Sequence, residues 1–210
     1  MSGGSPNLSA TDGRIRTRRN LRITIEFIPQ RFETSQWVPF PVELVFAFLA
    51  NPANLPHLMP PRFETQIEDA RLQPPPSRPA HSDPARRFRS MAAGVGSEIL
   101  ISFYPVRWIR KRASWMARIT EFAWNSHFCD EQATGPFTQF RHRHGIKAEF
   151  RDWYEGTLVK DQIEYTLPWG LIGKIGGLLI ERKLEQAFAY RQKRLPEILD
   201  VAGRQAVKRE

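Results

Sequence analysis

The sequence predicts an α+β domain in which a curved antiparallel sheet of about six to seven strands surrounds one long C-terminal helix, with two short helices after the first strand. Three observations predict it. From residue 98 to residue 167, strand-like segments follow one another with only short breaks, which implies antiparallel hairpins. After Pro168 the apolar period changes from two to 3.6, and Ile180, Leu184, Ala187, Phe188, Leu195 and Ile198 form a helical stripe. Only this one long helix is available to cover the sheet's apolar face, so the sheet must curl around it.

The elements follow in order. Residues 1–20, rich in Ser, Gly, Asn and Arg, read as a disordered basic tail ahead of a domain spanning 21–199. Leu21 to Val38 reads as a strand interrupted at Pro29. Pro41 then opens a helix over Val42 to Leu49, and Leu55 to Leu58 makes a second short one. Phe63 to Leu72 alternates apolar with charged residues, the mark of a half-buried strand. Residues 73–89, rich in Pro and Arg, can only be an exposed loop. Strands are expected at 98–104, 113–123, 128–133, 137–150 and 156–167. The helix should run from about 171 to 199, roughly 40 Å, with Pro196 kinking it or ending its regular part. Residues 200–210 read as a second basic tail.

Composition narrows the function classes. Hydrophobic residues make up 41% of the 210, enough for a core. The single Cys129 allows no internal disulfide, and an aspartate beside it raises a thiol's pKa rather than activating it. The N-terminal segment lacks the apolar stretch of a secretory signal, and the longest apolar run, Trp169 to Ile180, is broken by Lys174 and glycines. A cytoplasmic protein without a membrane span is expected. The net charge of +9 sits mostly in the tails: Arg14, Arg16, Arg18, Arg19 and Arg22 at one end, Arg204, Lys208 and Arg209 at the other. That distribution suits weak contact with acidic surfaces, not nucleic-acid binding by the body. Gly94-Val95-Gly96-Ser97 precedes a strand rather than a helix, so it is no nucleotide loop.

Several segments taken together resemble the START-like, or SRPBCC, superfamily, which includes polyketide cyclases, lipid-transfer domains and coenzyme-Q-binding proteins. They are Trp37-Val38-Pro39 with Asn51-Pro52-Ala53-Asn54-Leu55, Ala93-Gly94-Val95-Gly96-Ser97, Phe128-Cys129-Asp130-Glu131-Gln132, His142-Arg143-His144, Asp161 with Tyr165-Thr166-Leu167-Pro168-Trp169-Gly170, and Phe188-Ala189-Tyr190-Arg191. The resemblance spans residues 32 to 199 and implies a helix-grip fold with a hydrophobic cavity, without implying one activity.

Strand parity nominates the site. His142 and His144 are two apart on a strand and share their face with Phe140 and Ile146, while Arg141, Arg143 and Lys147 take the other. Asp130 and Gln132 share the parity of Phe128. An Asp–Gln–His–His cluster therefore faces an otherwise apolar interior, either as a satisfied polar network or as acid–base groups. With no third ligand at metal spacing in the sequence, no metal or other cofactor is expected. By the same parity a cavity should be lined by Trp115, Ala117, Gln132, Phe140, His142, His144, Ile163 and Tyr165, with Leu184 and Phe188 from the helix. The expected function is carriage or sensing of a hydrophobic small molecule, a lipid, isoprenoid or polyketide-like compound. The alternatives are a cyclase or dehydratase using His142, His144 and Asp130 as acid–base groups, and an accessory module docking through its basic segments.

Overall fold

The computed structural model describes residues 29–79, 91–105, 111–168 and 172–207, with side chains described up to Val201 and, in the last stretch, from Gly177. Among these residues the strands are β1 (Gln30–Val38), β2 (Gln66–Arg71), β3 (Glu98–Phe103), β4 (Ala113–Ala123), β5 (His127–Thr134), β6 (Gln139–Arg151) and β7 (Tyr154–Thr166). The helices are α1 (Val42–Leu49), α2 (Leu55–Leu58) and α3 (Ile172–Val207). The strands form one seven-stranded antiparallel sheet in the order β1-β7-β6-β5-β4-β3-β2. This is the helix-grip arrangement: the first strand closes one edge beside the last, and α3 lies against the concave face. The expected strand segment before Pro29 and the tail 1–20 lie outside the described residues, as do residues 80–90 of the Pro/Arg-rich loop.

Local chemistry sets the element ends. Pro41 caps α1 in an extended conformation rather than occupying its first turn, and its carbonyl accepts from Leu44 and Val45. α1 buries Val42, Leu44, Val45, Phe46 and Ala47. Phe46 is fully buried among the rings of Phe122, Trp124 and Phe128, at 5.3–5.9 Å between centroids. Of the loop, residues 73–79 are irregular and held to the sheet by Trp124, whose Nε1 donates to the Pro76 carbonyl at 2.7 Å. The β6–β7 hairpin turns on Asp152 and Trp153, both at positive φ (48° and 71°), as a two-residue turn of the primed type requires.

Helix α3 departs from expectation at its end. It continues to Val207, through Pro196 and into the segment 200–210 read as a tail. A proline inside a helix orphans the carbonyl four residues earlier. Here that carbonyl belongs to Gln192, and Gln36 Nε2 of β1 donates to it at 2.5 Å. The sheet thus satisfies the group that Pro196 leaves free, and the helix has no need to stop.

Gly156 marks the closest approach in the sheet. A Cβ there would lie 2.3 Å from Trp37 Cζ2 and 2.7 Å from the Val38 carbonyl oxygen. At Gly145 the nearest heavy atom would be 3.5 Å away, an ordinary contact. Gly156→Ala should therefore cost about 1–3 kcal/mol of overpacking, read as a lower urea midpoint, while Gly145→Ala should leave the midpoint within experimental scatter. Equal midpoints for the two variants would contradict this account.

Candidate functional site

Strand register assembles the polar cluster. Asp130 pairs with His142, and His142 pairs on its other side with Ile163. One row along, Phe128 pairs with His144, and His144 with Asp161. Residues directly opposite one another in antiparallel strands share a face, so β5, β6 and β7 deliver two imidazoles and two carboxylates to the concave side. α3 adds Arg191, which falls on the stripe of Leu184, Phe188 and Leu195.

The contacts centre on one oxygen. Asp161 Oδ1 is 3.0 Å from His142 Nε2, 2.9 Å from His144 Nδ1 and 3.1 Å from Arg191 Nη1. The His144 Nδ1 contact lies outside hydrogen-bonding alignment, leaving that buried nitrogen without a hydrogen-bond partner. On the other side of the rings, His144 Nε2 is 3.2 Å and His142 Nδ1 3.9 Å from Asp130 Oδ1. The two imidazoles lie 3.7 Å apart, and Phe128 stacks on His144 at 4.2 Å. The side chains of Asp161, His144 and Arg191 are 6%, 10% and 11% exposed, so these charges interact in little water.

Burial alone would raise the Asp161 carboxyl, but the Arg191 guanidinium and the two imidazoles hold it well below the usual carboxylate range. Burial pulls His144 down, and the carboxylates of Asp130 and Asp161 outweigh it, so its pKa is raised. For His142, burial and the neighbouring His144 charge win over Asp161, and its pKa is lowered. The two rings are thus driven in opposite directions, His144 toward its protonated form and His142 toward its neutral one. Cys129 takes no part; burial pushes its thiol up to about 11, unfit for a nucleophile.

Above the cluster lies a partly enclosed cavity of about 510 Å³ between sheet, α2 and α3. Trp115, Ala117, Phe140, His142, His144, Ile163, Leu184 and Phe188 line it, together with Asp130 and Arg191. Two residues nominated from parity do not. Gln132 folds back on the β5–β6 turn, its Nε2 donating to the Phe137 carbonyl at 2.8 Å and its Oε1 accepting from Phe137 N at 3.2 Å. Tyr165 is 3% exposed and packs against Phe137, ring centroids 5.7 Å apart. The cavity is open to one side rather than sealed. Among its lining groups Trp115 Nε1 and Thr65 Oγ1 have no hydrogen-bond partner among the described residues.

Parity reasoning passed over the roles of Asp161 and Arg191. The signals were present: Asp161 is the one charged residue in the inward row Thr157, Val159, Ile163, Tyr165, and Arg191 is the one charge on the apolar helix stripe between Phe188 and Leu195.

The sequence model of a family described as polyketide cyclase/dehydrase and lipid transport matches residues 38–189. No curated protein matches the chain. Among solved structures, the Zhui aromatase/cyclase from Streptomyces sp. R1128 is 14% identical with a TM-score of 0.56, covering 82% of this chain and 94% of its own. Norcoclaurine synthase from Thalictrum flavum is 13% identical with a TM-score of 0.55, covering 85% and 99%. A START superfamily protein from Mycobacterium smegmatis is 10% identical with a TM-score of 0.53, covering 82% and 98%. At these identities the likeness is one of fold. No described helix is long and apolar enough to cross a membrane.

Two outcomes check the cluster. Removing one partner of a buried ion pair strands the other charge, so Arg191→Met should lower unfolding free energy by about 3–5 kcal/mol. The imidazoles set a pH dependence in metal-free buffer. His144, raised above 6.5, contributes stability that is full below that value and lost as pH rises through its folded pKa. His142, lowered below 6.5, contributes stability present above that value and lost as pH falls through its folded pKa. Both contributions are complete together only near pH 6.5 and fade to either side. Urea titrations from pH 5 to 8.5 should show the alkaline limb flattened by His144→Asn and the acid limb by His142→Asn; profiles parallel to wild type would refute the assignment.

Proposed function

Because the chain belongs to the polyketide cyclase/dehydrase and lipid transport family, we propose that it takes an apolar small molecule into its cavity as a carrier or sensor. The cavity itself carries this reading. It is about 510 Å³, within the range of small-molecule sites, and its walls are largely aliphatic and aromatic with a few convergent polar groups. A lipid, isoprenoid or polyketide-like body fits such walls, and an oxygen on it would find donors at Trp115 Nε1 and the polar cluster. The compartment implied is the cytoplasm, where a lone free thiol such as Cys129 persists reduced.

One observation favours a second reading. His144, whose pKa is raised, and His142, whose pKa is lowered, both border the cavity beside Asp130. An acid next to a base is what a cyclase or dehydratase needs to protonate one oxygen while removing a proton nearby.

Ala117 separates occupancy from folding. It is 4% exposed, lies on β4 and borders the cavity. Ala117→Trp fills space rather than a packed core, so the melting temperature should change little. Binding of a fluorescent fatty-acid probe should fall at least tenfold, and native mass spectrometry of the purified wild type should show a co-purifying apolar molecule. Undiminished probe binding in the folded variant would defeat the carrier reading. Retained probe binding in His142→Asn, beside loss of any ring-closing activity, would move the enzyme reading to the front.

A further inference from the structure

We propose that Asp130, His142 and His144 form a binding site for one divalent transition-metal ion at the floor of the cavity, with Asp161 and Arg191 as its supporting shell. The sequence spacing supplies only the two histidines; the pairing of β5 with β6 supplies the third ligand.

Three observations carry the inference. One donor atom from each of the three residues lies within 4.8 Å of the other two. Two ligands bound at 2.0–2.2 Å to the same ion sit about 3–3.5 Å apart, and His144 Nε2 is already 3.2 Å from Asp130 Oδ1. His142 Nδ1, at 3.9 Å from that oxygen, needs to close by only a few tenths of an ångström. Second, the opposite ring nitrogens, His142 Nε2 and His144 Nδ1, both face Asp161 Oδ1, at 3.0 and 2.9 Å. A carboxylate hydrogen-bonded behind a metal-binding imidazole is the outer shell that fixes its tautomer and raises its basicity; Asp161 gives that bond to His142 and stands in charge contact with His144. Asp161 is withheld from the ion itself by Arg191 Nη1 at 3.1 Å. Third, all three ligands border the cavity, so the remaining coordination positions open onto the space where a small molecule would sit.

Two imidazoles with one carboxylate select Zn²⁺, Fe²⁺ or Co²⁺ over Ca²⁺ and Mg²⁺, which prefer all-oxygen sites. The charges are compatible. Asp130 and Asp161 bring two negatives against the Arg191 guanidinium and a dication, and an anionic oxygen from a cavity ligand or hydroxide completes neutrality. The ion would hold and polarise such an oxygen. This site is independent of the apolar-ligand reading, because its ligands are complete without any occupant of the cavity.

Co²⁺ serves as the probe, added to chelator-stripped full-length protein with no cavity ligand present. One equivalent should bind per chain, with d–d absorption bands of nitrogen–oxygen coordination, and Zn²⁺ should displace it. His142→Gln, His144→Gln and Asp130→Asn should each weaken binding at least a hundredfold, and Asp161→Asn tenfold to a hundredfold. His57→Gln and His127→Gln should leave it unchanged. Because a variant of the buried cluster can lose its fold, a second measurement uses wild type alone: Co²⁺ should broaden or shift the His142 and His144 imidazole NMR signals ahead of all others. Binding insensitive to the three ligand substitutions in folded variants, broadening confined to other histidines, or no stoichiometric binding would each overturn the proposal. Loss of fatty-acid probe binding with Co²⁺ binding intact would overturn only the carrier reading.

Discussion

A single buried carboxylate organises this molecule. Asp161 projects from an otherwise apolar row of β7, and an ionised oxygen there is tolerable only if donors surround it. They come from two separate elements, the His142 imidazole of β6 and the guanidinium of α3, with His144 in close charge contact beside them. Meeting that demand fixes the register of β6 against β7 and the rotation of α3 about its axis, because Arg191 reaches Asp161 from only one helical face. The apolar rows on either side enforce the same register, since a one-residue slip would turn them outward.

The same constraint explains why an open space persists. The polar cluster occupies the middle of the concave face, and the apolar side chains divide around it. One group gathers on Phe46, Leu195 and Leu199, another on Phe140, Ile163 and Phe188, and a third on Ile99 and Ile119. A lone helix over a seven-stranded sheet cannot close the gap between them. What remains is a cavity walled by hydrocarbon and floored by charge, a combination that suits an apolar molecule carrying an oxygen.

Much of this was legible in the residues. α1 and β4 have the bounds that periodicity assigns, and the sheet and single long helix follow from short breaks and a change of period. Parity placed His142, His144 and Asp130 on one face because a two-residue repeat is insensitive to the details of pairing. Gln132 eluded it because a side chain of inward parity near a turn can bond back to the turn's own backbone. The reach of α3 past Pro196 eluded it too, since the compensating donor, Gln36, lies 156 positions from the Gln192 carbonyl it satisfies. Asp161 and Arg191 carried a signal, a charge within an apolar row, but only three-dimensional pairing shows that they answer each other.

The two ends of α3 are held by different physics. Toward its C-terminal half, Leu195 and Leu199 are at most 1% exposed, and Arg191 is tied to the sheet. Toward the other end, Leu178 and Leu179 are 62% and 55% exposed, Ile180 and Leu184 pack only partly buried against the Phe140 cluster, and polar tethers join them: Lys183 Nζ to the Pro105 carbonyl and Arg62 to Gln186. The helix is a beam clamped at one end and propped at the other. Water can replace the props at little cost but cannot replace the clamp. The more exposed end is where helix and sheet could part with the least loss of buried contact, while Arg191 and the leucines beyond it stay seated.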